Sequence, residues 1–370
     1  MSPDAPSREA PSREVPSREA GAPDAAGRKA TARGFRLAFG VAASLLVEAL
    51  RGADLPSLAP LIALQLLTLS PRPPGGRMVG LLFGAAALSS LAAWVITAVT
   101  VSIPGAYPLG MGVLYLWGFA LSLTPRTAPL GAMALTMTIV VGSLSAVSTG
   151  AAAGVGLSLA LSVLSGGAMV YLAFALFPVP ASAPAGPPPP AASGAAERLP
   201  VPLRAGLATL AILPLHMWLT SDGVAAMAVL FTCSSMLRQP GVEASLRDSL
   251  DRLAGAAAGG LVALAADGVA ALHDAAALIL ALVAAAALFF AWRIVGGPRR
   301  AAVWTPGFVT FVALYGMTLS PTLGGGEVEA LTRVLQVAAG ALYTLCAVSL
   351  LVPPARRLMR RRPTPAPRRA

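Results

Sequence analysis

Two ionisable side chains stand at corresponding places in two stretches of the chain. RLAFGVAASLLVEALRGAD covers residues 36–54, and RAGLATLAILPLHMWLTSD covers 204–222. The two align without a gap: Arg36 falls on Arg204, Glu48 on His216 and Asp54 on Asp222, each 168 residues apart. A carboxylate and an imidazole are the groups that hold and hand on protons inside membranes. Arg51, three residues past Glu48, offers a guanidinium that pairs with carboxylates. Glu48 lies twelve residues beyond Arg36, about 18 Å along a helix axis, and His216 lies at the same depth in its own stretch. Two readings of this pair stand side by side. One is a functional polar site turned toward the bundle or a cavity; the other is a residue near a helix end that reaches water. Asp267 is a further acid within an apolar run, suited to a contact across helices or to a relay.

The elements that must position these groups follow from composition. Of 370 residues, 56% are hydrophobic and 12% charged, far from the balance of a soluble domain. Apolar runs cover 36–50, 55–70, 77–101, 106–123, 128–147 and 151–178, then 203–220, 222–237, 252–273, 275–296, 301–320 and 328–352. Hydrocarbon offers no partner for backbone polar groups, so such runs must be helices. The expectation is an all-α integral membrane protein of about twelve transmembrane helices, built as two parallel six-helix repeats. Residues 1–35, with PSRE three times, read as a disordered cytoplasmic tail. Residues 36–178 form the first unit, 179–200 a Pro-rich cytoplasmic linker, 201–353 the second unit and 354–370 a basic cytoplasmic tail.

The net charge of +11 is distributed as in a membrane protein, not as in a nucleic-acid binder. With the N-terminus in the cytoplasm and every run crossing once, 25 of the 27 basic residues fall inside. Both termini are then cytoplasmic. Cys233 and Cys346 sit in apolar runs, so no disulfide framework or zinc site is expected. No phosphate-binding glycine loop, H-E-x-x-H or G-x-S-x-G occurs, and no enzymatic activity, cofactor or metal is expected. The first and second runs are short in both halves, and short segments at matching places in two repeats point to a transport site.

A second signature repeats. Arg77-x-x-Gly80-x-x-x-Gly84 opens the third run, and Arg252-x-x-Gly255-x-x-x-Gly259 opens the ninth. Glycines four apart let helix backbones approach, and an arginine at the inner end reaches toward headgroups. Gln65, Thr136 and Thr310 read as interhelical hydrogen-bonding residues, and Pro306 as a kink. Trp218, Trp292 and Trp304 read as interface anchors. Trp94, Tyr115 and Trp117 read as core, with stacking on an aromatic substrate as the other option.

The basic helix start, the short helix pair and the R-x-x-G-x-x-x-G opening, doubled as six plus six, resemble the fusaric acid resistance superfamily over about residues 36–353. Arg204, Arg252, Gly255 and Gly259 match its pattern best; Arg36, Arg77, Gly80 and Gly84 echo it. Larger exporters of that family carry soluble cytoplasmic domains after each unit, so this chain resembles a compact branch. The resemblance implies proton-coupled efflux of small organic, aromatic acids across a bacterial inner membrane, with a periplasmic adaptor or a homo-oligomer as possible partners. In that setting Glu48, Asp54, His216 and Asp222 would carry protons, and Arg51 would attract a carboxylate. A passive anion channel and a non-transporting membrane scaffold are the alternatives.

Overall fold

The computed structural model describes residues 22–53, 55–69, 73–103, 105–147, 149–178, 199–219, 224–238, 246–272, 276–319 and 327–360. Among them are twelve helices and no strand. They are α1 (Ala22–Leu50), α2 (Leu58–Leu69), α3 (Gly76–Thr100), α4 (Ala106–Ser122), α5 (Ala128–Val147) and α6 (Thr149–Leu176). The second half holds α7 (Val201–Trp218), α8 (Val224–Leu237), α9 (Leu246–Leu272), α10 (Ala276–Val295), α11 (Pro298–Thr318) and α12 (Glu327–Arg360). Eight helices are long and apolar enough to cross a membrane: α1, α3, α5, α6, α7, α9, α10 and α11. The protein is therefore an all-helical, multi-pass membrane protein.

Local chemistry sets the helix limits. The apolar runs end at Pro and Gly, and the helices do too. Gly105, with φ +81°, opens α4 in a left-handed conformation that a side chain would disfavour. Two expected boundaries move. α1 begins at Ala22, inside the span expected to be without structure, because the stretch up to Arg36 is rich in Ala and Arg, which favour helix without forming an apolar run. α12 continues to Arg360, past the expected end of the second unit at 353. The linker lies outside the described residues from 179 to 198.

Packing across the two halves follows a simple rule. α1 packs on α10 and α4 on α7; α2 packs on α11 and α5 on α8. Adding six to each helix number turns one pair of each couple into the other. Contacts within the halves follow the same rule, with α3 on α5 beside α9 on α11, and α2 on α6 beside α8 on α12. The core is continuous across both halves, from Leu45 and Leu64 through Met111 and Phe119 to Phe290 and Phe311.

Candidate functional site

Glu48 lies in the last turn of α1, where the chain closes in a Schellman motif. Gly52, at φ +65°, donates its N–H to the Ala49 carbonyl, and Ala53 donates to that of Glu48. This turn holds Arg51 against Glu48. The carboxylate is fully buried, and its Oε2 takes hydrogen bonds from Arg51 Nη2 at 2.7 Å and Ser162 Oγ at 2.6 Å. Ser165 donates to Oε1. Both serines lie on α6 of the same half. A charge removed from water is costly unless paired and hydrogen-bonded, and here it is both. Glu48 does not snorkel.

His216 occupies the matching turn of α7 and is also fully buried, but it turns the other way, toward the first half. Tyr107 Oη lies 3.0 Å from its Nε2 and Tyr115 Oη 3.0 Å from its Nδ1, both from α4. Tyr107 Oη also lies 3.4 Å from the carbonyl oxygen of Gly142 on α5. A neutral imidazole satisfies the set: Tyr115 donates to Nδ1, Nε2–H donates to Tyr107, and Tyr107 donates to Gly142. A Cβ at Gly142 would crowd Met111 and come within 3.6 Å of His216 Cε1, so the missing side chain makes room for the ring. Tyr115 is thus a hydrogen-bond partner, not mere core.

Glu48 and His216 share none of these partners. Asp54 and Asp222 lie outside the described residues. Asp267 is half-buried on α9.

The basic positions diverge as well. Arg36 is buried, donates to the Phe177 carbonyl at 2.8 Å and lies 3.9 Å over the Phe174 ring. It caps the C-terminus of α6 instead of facing headgroups. Arg77 is exposed on α3, Arg204 is half-buried in the first turn of α7, and the Arg252 side chain is outside the described set.

The two glycine pairs part company too. A Cβ at Gly255 would collide with the carbonyl oxygen of Val303, and one at Gly259 with that of Gly307. α9 and α11 therefore cross in backbone contact. Gly80 and Gly84 meet nothing within 4 Å of an added Cβ and are exposed, so among the described residues they make no close packing of the kind expected. Trp117, expected in the core, also faces outward.

The largest departure concerns the polar positions inside the runs. A cavity of about 370 Å³ opens between the halves, lined by α2, α5, α8, α9, α11 and α12. α11 runs along it from Ala301 to Met317, about 24 Å. Gln65, Thr136 and Thr310 all line it, with Pro306 beside them. They make no interhelical hydrogen bonds to described residues: Thr136 donates to Ala132 on its own helix, and Gln65 and Thr310 have no such bond at all. Arg238, at the end of α8, is the charged residue of this lining. A signal in the sequence marks two of these positions. Thr136-x5-Gly142 and Thr310-x5-Gly316 repeat at an offset of 174, and Gly316 packs against Ser57 as Gly142 does against Met111. Glu48 and His216 do not line the cavity.

Residues 208–347 match the fusaric acid resistance protein-like family. The match covers α7 to most of α12 and takes in His216, Arg238, Gly255, Gly259 and Thr310. It supports the resemblance seen in the sequence over that part of the chain. Comparison with curated proteins and with solved structures gives no match.

Proposed function

We propose that this chain is a proton-coupled transporter that exports small organic acids, aromatic ones foremost, and that the cavity between its halves is the passage. The cavity is the observation that carries the reading. Both halves contribute to it, α2 and α5 from the first and α8, α9, α11 and α12 from the second. α2 and α8 are short, at 12 and 14 residues, or about 18 and 21 Å against a hydrocarbon core of about 30 Å. The shortness that marked these segments in the sequence thus falls on the cavity itself. The add-six pairing of helices supports two six-helix repeats of one orientation and twelve crossings, related by an axis along the membrane normal. We place both termini in the cytoplasm of a bacterial cell, on the arginine distribution. A periplasmic adaptor and a homo-oligomer remain partners to test.

Glu48, His216, Asp54 and Asp222 would carry the coupling protons. Purified protein in liposomes, given a pH gradient, should drive radiolabelled benzoate against its concentration gradient. The Glu48→Gln, His216→Gln double variant should lose that drive. The second reading is a passive anion conduit, favoured by the position of both residues away from the cavity. Benzoate flux that ignores the pH gradient, in wild type and variant alike, would establish the conduit and remove the proton role.

A further inference from the structure

Several hydroxyls of the cavity lining spend their protons within their own helices. Thr136 Oγ1 donates to the Ala132 carbonyl at 2.9 Å, Ser234 Oγ to Phe231 at 3.0 Å and Ser235 Oγ to Thr232 at 2.8 Å. Those protons are spent on their own helices, which leaves lone pairs toward the cavity. Arg238 spends only Nε, on the Ser234 carbonyl at 3.3 Å. Among the described residues its Nη groups have no partner, nor do the Gln65 amide and the hydroxyls of Ser57, Thr305 and Thr310. The unspent donors therefore come from three helices and both halves. No described Asp or Glu lines the cavity, and most of the remaining wall is apolar, from Ala, Leu, Ile, Met, Phe, Val and Pro306, with Ser57, Thr232 and Thr305 as further hydroxyls.

We propose that Arg238, with Gln65 and Thr310, is the carboxylate receptor of this cavity and sets its preference for acids over neutral analogues. The inference rests on the transport reading above and names the residues that would select its substrate. A guanidinium presents paired N–H donors in a plane, which matches the two oxygens of a carboxylate. Inside a low-dielectric wall that pairing is stronger than in water, and an arginine remains protonated there. A cation would find no counter-charge in the described lining. A flat ring would meet Phe231 and Met133 as apolar neighbours. The volume lies within the range of small-molecule sites.

The position separates this role from that of Arg51. Arg51 is committed to Glu48 and Ser162 on the outside of the α1–α6 pair. Arg238 lies at the cavity end formed by Leu253 and Ala301, where α9 and α11 begin; Ser57 and Met317 mark the other end. A ligand seated at Arg238 would therefore occupy one end of the passage, with Gln65 and Thr310 farther along it.

The test is equilibrium dialysis of radiolabelled benzoate, and of neutral benzamide, against the full-length protein in detergent. Arg238→Gln should weaken benzoate binding roughly tenfold or more, the size of one charge-assisted hydrogen-bonded pair, and leave benzamide unchanged. Arg238→Lys should fall between. Equal benzoate affinity in wild type and Arg238→Gln overturns the proposal. If Arg238→Gln loses benzamide too, the lysine variant decides: benzamide kept with benzoate weakened supports the receptor, and both kept at wild-type strength overturns it. Phosphatidylglycerol that co-purifies with wild type but not with Arg238→Gln, while benzoate binding is unmoved, also overturns it in favour of a lipid site. Arg238-dependent binding without any benzoate flux in liposomes would leave the receptor standing and remove the transport reading.

Discussion

At the scale of single residues, equivalent positions have taken different partners. Glu48 ties α1 to α6 within one half, by charge; His216 ties α7 to α4 across the halves, by neutral hydrogen bonds. Removing one member of a buried hydrogen-bonded set leaves the other unsatisfied, at about 1–3 kcal/mol. Tyr115→Phe should therefore lower the thermal midpoint of the purified protein, because Nδ1 of His216 loses its donor. Adding His216→Phe to it should cost less than the two single effects combined, as groups in one network do not add. A full sum in a double-mutant cycle would show that the 3.0 Å contact contributes nothing. Their matched depth in apolar helices left burial and snorkelling side by side, and the structure buries both. Their partners could not. The repeat fixes depth along a helix, but partner choice depends on how each helix is rotated, and Tyr107 and Tyr115 bear no sequence relation to His216.

At the scale of helices, the glycine motifs give a direct contrast. Gly259→Ala places a methyl group in the Gly307 carbonyl oxygen, where the neighbour is backbone and cannot step aside. Overpacking of that kind costs about 1–3 kcal/mol and occasionally more, so the α9–α11 crossing should loosen. Gly84→Ala meets open space and should be neutral or stabilising by about 0.5–1 kcal/mol, the helix preference of alanine. Melting curves of the two variants by size-exclusion thermostability would separate them, and an equal loss in both would contradict the placement. The sequence motif is the same in α3 and α9, so it could not tell which copy packs closely. Helix extents were far more legible, since Pro and Gly end the apolar runs. The exception is the start of α1, where helix propensity continues and hydropathy does not. Gln65 and Thr310 depart from expectation because a polar residue in an apolar run need only avoid lipid, and a cavity serves as well as a neighbouring helix. The Thr-x5-Gly recurrence was the missed cue.

At the scale of the whole molecule, two of the seams between the halves are unlike. The α4–α7 seam carries the directional Tyr107–His216–Tyr115 bonds, while the α1–α10 seam carries the edge-on contact of Phe35 with Trp292, centroids 6.3 Å apart. Hydrogen bonds hold only near their preferred geometry, whereas apolar faces tolerate sliding. Spin-label pairs placed across each seam should give a broader distance distribution at α1–α10 than at α4–α7. Tyr107→Phe with Tyr115→Phe should erase the difference. Equal widths in the unmodified protein would contradict it.

That inequality has a bearing on how a solute would leave. Halves whose seams include one latch and one greased edge do not part evenly; they swing, like a door whose hinge is a histidine between two phenols. Any gate in this molecule would then open along the Phe35–Trp292 margin first, and the imidazole would mark the line about which the rest turns.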